Sequence, residues 1–350
     1  MQVKICVLGH FGLGKNLING QTVKTKIITE ELKNFFGEKQ VNEIDTSGGI
    51  KTIFKAPFQS FCSLKNSENA VIFPAHNGLR VYAPMLIFFN RFFKKKLHYV
   101  VIGGWLPDFL EKRRHLSKCL KHFDGIYVET NVMKKVLEAQ GFDNIFVMPN
   151  CKRLTVLNEN ELVYPQGIPF RLCTFSRVMK EKGIEDAVNA VKSINEEYGK
   201  TVYTLDIFGQ VDEEQTEWFE NLKKSFPDYI SYGGLVPFEK SVETIKKYFA
   251  LLFPTYYDGE GFAGTLIDSF SAGVPVIATD WKYNTEIVNE NVGFLYRTGN
   301  NKEFEKILKR LSENPSELLK KKRFCLKEAK KYGIDKSVKT LIDRLEVIGK

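Results

Sequence analysis

The chain has 350 residues, 43% hydrophobic and 27% charged, which excludes global disorder and allows two hydrophobic cores rather than one. The formal net charge is +9. Residues 1–165 carry 23 Lys/Arg against 14 Asp/Glu, while residues 166–350 carry 28 of each, so the surplus lies in the first half. Six scattered cysteines with no C-x-x-C pair or zinc spacing argue against a disulfide scaffold or zinc module, and no apolar run approaches the roughly 20 residues of a membrane span.

In chain order, strands are predicted near 3–8, 70–73, 98–102, 125–128 and 145–147, with helices near 20–36, 81–95, 106–121 and 130–139. Met1 runs directly into the first strand, so no signal peptide is expected and a reduced, cytosolic compartment is favoured. The first strand opens into Gly9-His10-Phe11-Gly12-Leu13-Gly14-Lys15-Asn16, then Asn19-Gly20-Gln21-Thr22. A P-loop requires Ser or Thr where Asn16 stands, and a dinucleotide fingerprint requires G-x-G-x-x-G rather than G-x-x-G-x-G. His76 follows a strand and precedes a helix; it is either a structural histidine or a candidate for the site. Residues 80–96, RVYAPMLIFFNRFFKKK, join Phe88, Phe89, Phe92 and Phe93 to Arg91 and Lys94 to Lys96. Two readings compete there: a helix under the sheet with a solvated basic end, or an element lying on an anionic membrane surface. The basic residues carry no RNA-binding motif, which disfavours nucleic acid. Asn131 is placed as a helix cap.

Residues 150–169, rich in Pro and Asn with little periodicity, read as a linker between domains at 1–165 and 166–334. Beyond it, strands are predicted near 170–176, 203–208, 230–232, 250–253, 274–278 and 293–296. They alternate with helices near 183–198, 212–226, 239–247, 264–272, 283–289 and 301–312. Alternation in both halves signals parallel α/β sheets. The tail reads as two helices, near 316–331 and 335–347. In FSRVMKEKG, at 175–183, Arg177 and Lys182 flank a turn after a strand; the pair suits a diphosphate, with solvated surface charge as the alternative.

The most informative stretch is FPTYYDGEGFAGTLIDSFSAGVPVIATD, at 253–280. It predicts strand, glycine-spaced loop, helix and strand. Glycines let the backbone approach a ligand, and the helix start near Gly264 offers free N–H groups to phosphate. Glu260 and Asp268 are acceptors suited to sugar or ribose hydroxyls.

Glu260-Gly261-Phe262-Ala263-Gly264, followed by Gly273-Val274-Pro275-Val276-Ile277-Ala278, resembles the donor site of family 4 retaining glycosyltransferases (glycosyl transferases group 1). The family pattern is a glutamate, seven residues and a second glutamate; this chain has Asp268, one methylene shorter. Ser176-Arg177 stands for the family's Gly-Arg, and Lys182-Gly183 is retained. The resemblance implies a GT-B fold: two Rossmann-like domains facing a central cleft, an acceptor-binding domain at 1–165 and a donor-binding domain at 166–334. Residues 335–350 would cross back onto the first. It further implies that Arg177, Lys182 and Glu260 act catalytically, the first two neutralising the diphosphate and Glu260 holding sugar hydroxyls. Gly20, Gln21, Gly261, Phe262, Ala263, Gly264, Thr265 and Asp268 would complete donor binding. Many members follow the strand near 98–102 with a histidine; here Gly103, Gly104 and Trp105 stand instead. Trp105, Asp108 and His76 are the acceptor or sugar candidates, Trp105 being equally suited to core packing.

The implied activity is hexosyl transfer from a nucleotide-diphosphate sugar, by default a UDP-sugar, to a glycan or lipid-linked acceptor in cell-surface polysaccharide or glycoconjugate synthesis. No metal or other cofactor is expected. A nucleotide-sugar epimerase or phosphorylase on the same fold, or a non-catalytic glycan- or partner-binding subunit, are the rival readings. The expected location is the cytoplasm, with contact to the cytoplasmic face of an anionic membrane if the 80–96 segment is a surface element.

Overall fold

The computed structural model describes residues 4–12, 20–47, 50–153 and 155–346. Gly14, Lys15, Asn16 and Asn19 of the first glycine loop, and Val347 at the end of the last helix, lie outside them. The chain divides into two compact units, Met1–Arg153 with Gly333–Lys350, and Leu154–Tyr332.

Unit 1 carries β1 (Ile5–Gly9), β2 (Val41–Asp45), β3 (Asn69–Ile72), β4 (Lys96–Val100), β5 (Gly125–Val128) and β6 (Ile145–Val147). They form one parallel sheet in the order β2-β1-β3-β4-β5-β6. Its helices are α1 (Gly20–Phe36), α2 (Ile50–Lys65), α3 (His76–Phe93), α4 (Leu106–Glu111), α5 (Arg114–Leu120) and α6 (Asn131–Ala139). β1 and β5 are apolar and buried throughout, and β3 and β4 are buried along nearly all their length with Asn69 and His98 among their residues, as a sheet covered on both faces requires.

Unit 2 carries β7 (Phe170–Phe175), β8 (Tyr203–Phe208), β9 (Ile230–Gly234), β10 (Ala250–Phe253), β11 (Val276–Thr279) and β12 (Gly293–Tyr296). Their order is β12-β11-β10-β7-β8-β9, again all parallel. The helices are α7 (Ile184–Tyr198), α8 (Thr216–Lys223), α9 (Ser241–Ile245), α10 (Gly264–Ser271), α11 (Asn284–Ile287), α12 (Asn301–Glu313), α13 (Ser316–Leu319) and α14 (Lys322–Ala329). The final helix, α15 (Ile334–Glu346), returns to unit 1. Its Val338, Leu341, Ile342 and Leu345 join a core with Ile5, Ile28, Leu32 and Val71.

Two elements differ from the sequence expectation by being present at all. Neither β2 nor α2 is predicted: β2 is an edge strand reading VNEID in which only Val41 is buried, and α2 contains Pro57. The α3 helix starts at His76, five residues earlier than predicted, and the helix expected at 106–121 is two. Thr130, not Asn131, caps α6: its Oγ1 accepts from the Met133 N–H at 3.2 Å. The compact units divide after Arg153 rather than at 165. Residues following Leu154 pack on unit 2, where the Leu157 N–H donates to the Ser271 carbonyl at 3.0 Å and Leu157 and Leu162 cluster with Leu326.

Both sheets reverse their order of growth once, between β1 and β3 in unit 1 and between β7 and β10 in unit 2. In open parallel sheets, ligands bind outside the carboxyl ends of strands at such a reversal. That places the loops after β1 and β3, and after β7 and β10, where a site belongs.

Candidate functional site

In unit 2, β7 leads through Ser176 and Arg177 to a short 3-10 turn at Lys180–Lys182, and Gly183 then opens α7. Gly183 has φ 69°, and a Cβ there would lie 2.2 Å from the carbonyl oxygen of Pro254, just after β10. Only glycine permits both the left-handed backbone and that approach. The two reversal strands are thereby drawn together, and Lys182 lies beside the loop after β10. Gly183→Ala is expected to destabilise unit 2 by about 2 kcal/mol, read as a lowered denaturant midpoint; an unchanged midpoint would show that the contact relaxes freely.

The Lys182 ammonium donates to Glu260 Oε2 at 2.5 Å, with both side chains almost buried, 11% and 8% exposed. The Thr255 hydroxyl donates to the same oxygen at 2.8 Å. Thr255 is held in turn: its carbonyl accepts the Thr279 hydroxyl at 2.5 Å from the end of β11. The Tyr256 N–H donates to the Glu181 carbonyl at 2.8 Å, stitching the two loops. Lys182 Nζ sits 4.9 Å from the Tyr257 ring centroid, a cation–π distance. The result is a low-dielectric charge pair whose acid is oriented by a hydroxyl.

Arg177 is separate in character. It is 54% exposed and pairs with Asp212 at 3.5 Å. An exposed pair of this kind contributes little to stability, which leaves the guanidinium accessible to a stronger anionic partner.

Beyond Glu260 the chain enters α10. No side chain caps its N-terminus, at Ala263. Thr265 Oγ1 is buried and lacks a hydrogen-bond partner. Asp268, 5% exposed, lies one turn further on, at i+4 from Gly264 and i+3 from Thr265, so the three share a helix face. A helix start without a side-chain cap, four residues beyond Glu260, suits phosphate oxygens. Gly259, Gly261 and Gly264 show no left-handed φ. Phe262 is buried against Tyr332, edge to face at 4.7 Å, so its side chain anchors the loop.

In unit 1, α1 begins at Gly20, which is exposed, and Gln21 Nε2 donates to the Phe73 carbonyl at 3.2 Å, tying the helix start to the end of β3. His10 Nδ1 meets the Thr22 hydroxyl at 2.8 Å. One turn on, Lys24 and Glu129 form a buried ion pair at 2.5 Å, both below 5% exposed. Neither residue has a sequence motif to flag it.

His76 stands at the start of α3, its exposed ring 4.0 Å from the Trp105 ring and 5.1 Å from Phe109. Burial, and then the Arg113 guanidinium, lowers the His76 pKa below its ordinary value, so the imidazole is neutral at pH 7. Trp105 is 8% exposed, donates its indole N–H to the Ile102 carbonyl at 2.9 Å and presents its ring to His76. The open stacking face expected of Trp105 is therefore covered; the exposed ring of the group is His76. Asp108 is exposed on α4.

The structure thus joins Lys182 to Glu260, and sets Gly264, Thr265 and Asp268 on the next helix. The sequence reading missed Thr255 and Tyr257, although a polar residue directly after Pro254 at a strand end is a signal that points to Thr255. Among the described residues, no group of three or more His, Cys, Asp or Glu is placed to hold a metal ion.

Residues 166–332 match the model of the family described as glycosyl transferases group 1. The GtfA subunit of the UDP-N-acetylglucosamine–peptide N-acetylglucosaminyltransferase of Streptococcus gordonii is 27% identical over 165 residues, 47% of this chain and 31% of that protein. The amylovoran biosynthesis glycosyltransferase AmsK of Erwinia amylovora is 24% identical over 43% of this chain and 38% of its own length. This chain thus matches only about a third of the length of those relatives. Among solved structures, sucrose-phosphate synthase from Thermosynechococcus elongatus superposes with a TM-score of 0.75 at 13% identity, covering 98% of each chain. Anabaena HepE, solved in complex with UDP, gives 0.73 at 12% identity, covering 99% of this chain and 100% of that one. At such identities the likeness establishes the fold, which is GT-B.

Proposed function

We propose that this chain, whose residues 166–332 match the model of the glycosyl transferases group 1, is a retaining glycosyltransferase. It moves a hexose-type sugar from a UDP-sugar to a glycan or lipid-linked glycan in cell-surface polysaccharide or glycoconjugate synthesis. The observation that carries this reading is the buried Lys182–Glu260–Thr255 cluster beside the uncapped start of α10. It sets a cation and a helix start without a side-chain cap, suited to a diphosphate, next to a carboxylate for sugar hydroxyls. The UDP bound by Anabaena HepE and the UDP-sugar named for the S. gordonii relative support the choice of base.

In this reading the diphosphate lies against Lys182, Arg177 and the first turn of α10, to which Thr265 belongs. Glu260 holds the sugar and Asp268 the ribose. In unit 1, Gly20 and Gln21 are assigned to the donor and His76 and Asp108 to the acceptor. The acceptor oxygen attacks the anomeric carbon on the face the diphosphate leaves. As the bond from that carbon to the phosphate oxygen breaks, the acceptor proton passes to the departing phosphate. Fixed positive charge aimed at the leaving group is the main source of rate. No side chain acts as nucleophile, and none is assigned to a metal.

A panel of nucleotide sugars in a thermal-shift experiment tests the donor. A UDP-sugar at about 100 times its Kd is expected to stabilise the folded protein by about 2.7 kcal/mol, and other bases by less. Absence of binding by any nucleotide sugar at millimolar concentration would overturn the reading. Binding with hydrolysis or transfer abolished in Lys182→Ala supports it; donor interconversion without transfer would instead support an epimerase.

A further inference from the structure

The α2 and α3 helices pack side by side in unit 1 and turn an unusual face outward. On α2, Phe54, Phe58 and Phe61 recur at i, i+4 and i+7, 82%, 71% and 38% exposed. On α3, Phe88 and Phe92 are 54% and 74% exposed. Ring contacts join the helices, Phe61 meeting Phe89 at 5.9 Å and Phe93 at 5.3 Å, and within α3 Phe88 meets Phe92 at 6.3 Å. Scattered exposed phenylalanines need no explanation, but a linked set on two adjacent helices marks an interaction surface.

Charge identifies the partner. Residues 46–107 hold eight Lys/Arg and a single acid, Glu68. Lys55, Lys65, Arg80, Arg91 and Lys94 are all exposed. Where α2 and α3 end, a depression of about 650 Å³ opens at the amino ends of the strands, lined by Lys4, Lys39, Lys65 and Lys95 with Glu68 as its only carboxylate. This is the sheet end opposite the carboxyl ends where the candidate site lies. A second copy of the chain would oppose cation to cation, whereas an anionic lipid surface offers acyl chains to the rings and phosphates to the lysines.

We propose that unit 1 seats on an anionic bilayer through the outer face of α2 and α3. Phe54, Phe58, Phe88 and Phe92 enter the interface, and the lysine-lined depression takes lipid phosphate. The inference is independent of the reaction assigned above, because its readout is binding alone.

Co-sedimentation of the full chain with sucrose-loaded vesicles tests it, comparing phosphatidylcholine alone with phosphatidylcholine mixed with phosphatidylglycerol. Binding to the mixed vesicles is expected, weakening as salt rises. Phe58→Ser with Phe92→Ser, and separately Lys65→Gln with Lys95→Gln, should each lower partitioning about tenfold or more. These side chains are exposed or at the rim, so circular-dichroism melts of both variants should match the parent. No preference for the anionic vesicles, or partitioning unchanged in both variants, would overturn the proposal. So would a concentration-dependent dimer in light scattering that the Phe pair of substitutions abolishes, since a second copy would then cover the face.

Discussion

Lys182→Met is expected to lower turnover by about 10²–10³-fold, the usual cost of removing one preorganised group that stabilises developing charge. Glu260→Gln should cost a similar factor, and Asp268→Asn much less. The asymmetry follows from position. In the proposed arrangement Glu260, which holds Lys182 at 2.5 Å, faces the reacting sugar, whereas Asp268 sits one turn into α10, at the ribose. Loss of Asp268 should therefore appear mainly in KM. Because Lys182 and Glu260 share a contact, the double variant should lose far less than the product of the single losses.

A second readout separates this from a purely structural role. Glu260→Gln leaves a buried ammonium without its counter-charge, and breaking one side of such a pair destabilises the fold, here by up to about 3 kcal/mol. If Lys182 faces the diphosphate, UDP restores a negative charge at that point. UDP should then raise the melting temperature of Glu260→Gln by more than it raises that of the parent. An equal shift in both proteins, with negligible loss of turnover in Glu260→Gln, would mean that the pair is a structural buttress and the donor lies elsewhere.

The repeating strand–helix alternation was legible because each buried parallel strand is a short apolar run bounded by turn residues, as at Ala250–Phe253 and Val276–Thr279. The α2 helix was not. It carries Pro57 at mid-helix, and Phe54 and Phe58 point outward while Ser60 and Ser63 are buried, so the apolar residues do not mark the buried face. The candidate loop and helix from Gly261 to Asp268 could be read as one unit, since the residues are close in sequence. The Lys182–Glu260 contact spans 78 positions, and no spacing rule brings such residues together. It exists because Gly183 lets the loop after β7 approach Pro254. The ring of Trp105 was ambiguous for a related reason: an indole serves a sugar or a core equally well, and the neighbour that decides, His76, lies 29 positions away by the numbering.

The same limit hides the largest stability effect expected of a single substitution. Lys320-Lys321-Lys322-Arg323 reads as a solvated basic run, yet Lys322 is fully buried and its Nζ has no hydrogen-bond partner. The cause is helical geometry. Lys322, Cys325, Leu326 and Ala329 occupy one face of α14, and that face is the buried one. Burial pulls the Lys322 pKa down from 10.5 to about 8, with the Cys325 thiol opposing the fall weakly. A fall of that size costs the folded state about 3 kcal/mol while the amine is charged in both states. Lys322→Met keeps the length of the side chain and removes the charge, so unit 2 should gain about 3 kcal/mol at pH 7, or roughly 6–12 °C in melting temperature. The sign of the pH dependence is determined. Between about 8 and 10.5 the unfolded chain binds the proton and the folded chain does not, so Lys322 makes stability rise with pH across that window. Buried thiols, Cys325 among them, are pushed above their ordinary pKa and act in the opposite direction once the unfolded thiols ionise. The telling quantity is therefore the difference between parent and variant. The gain from Lys322→Met should be full below pH 8 and shrink toward zero by about pH 10.5. A gain that is absent at pH 7, or that does not change with pH, would show that the ammonium reaches a partner or solvent in the folded protein and that its burial carries no penalty.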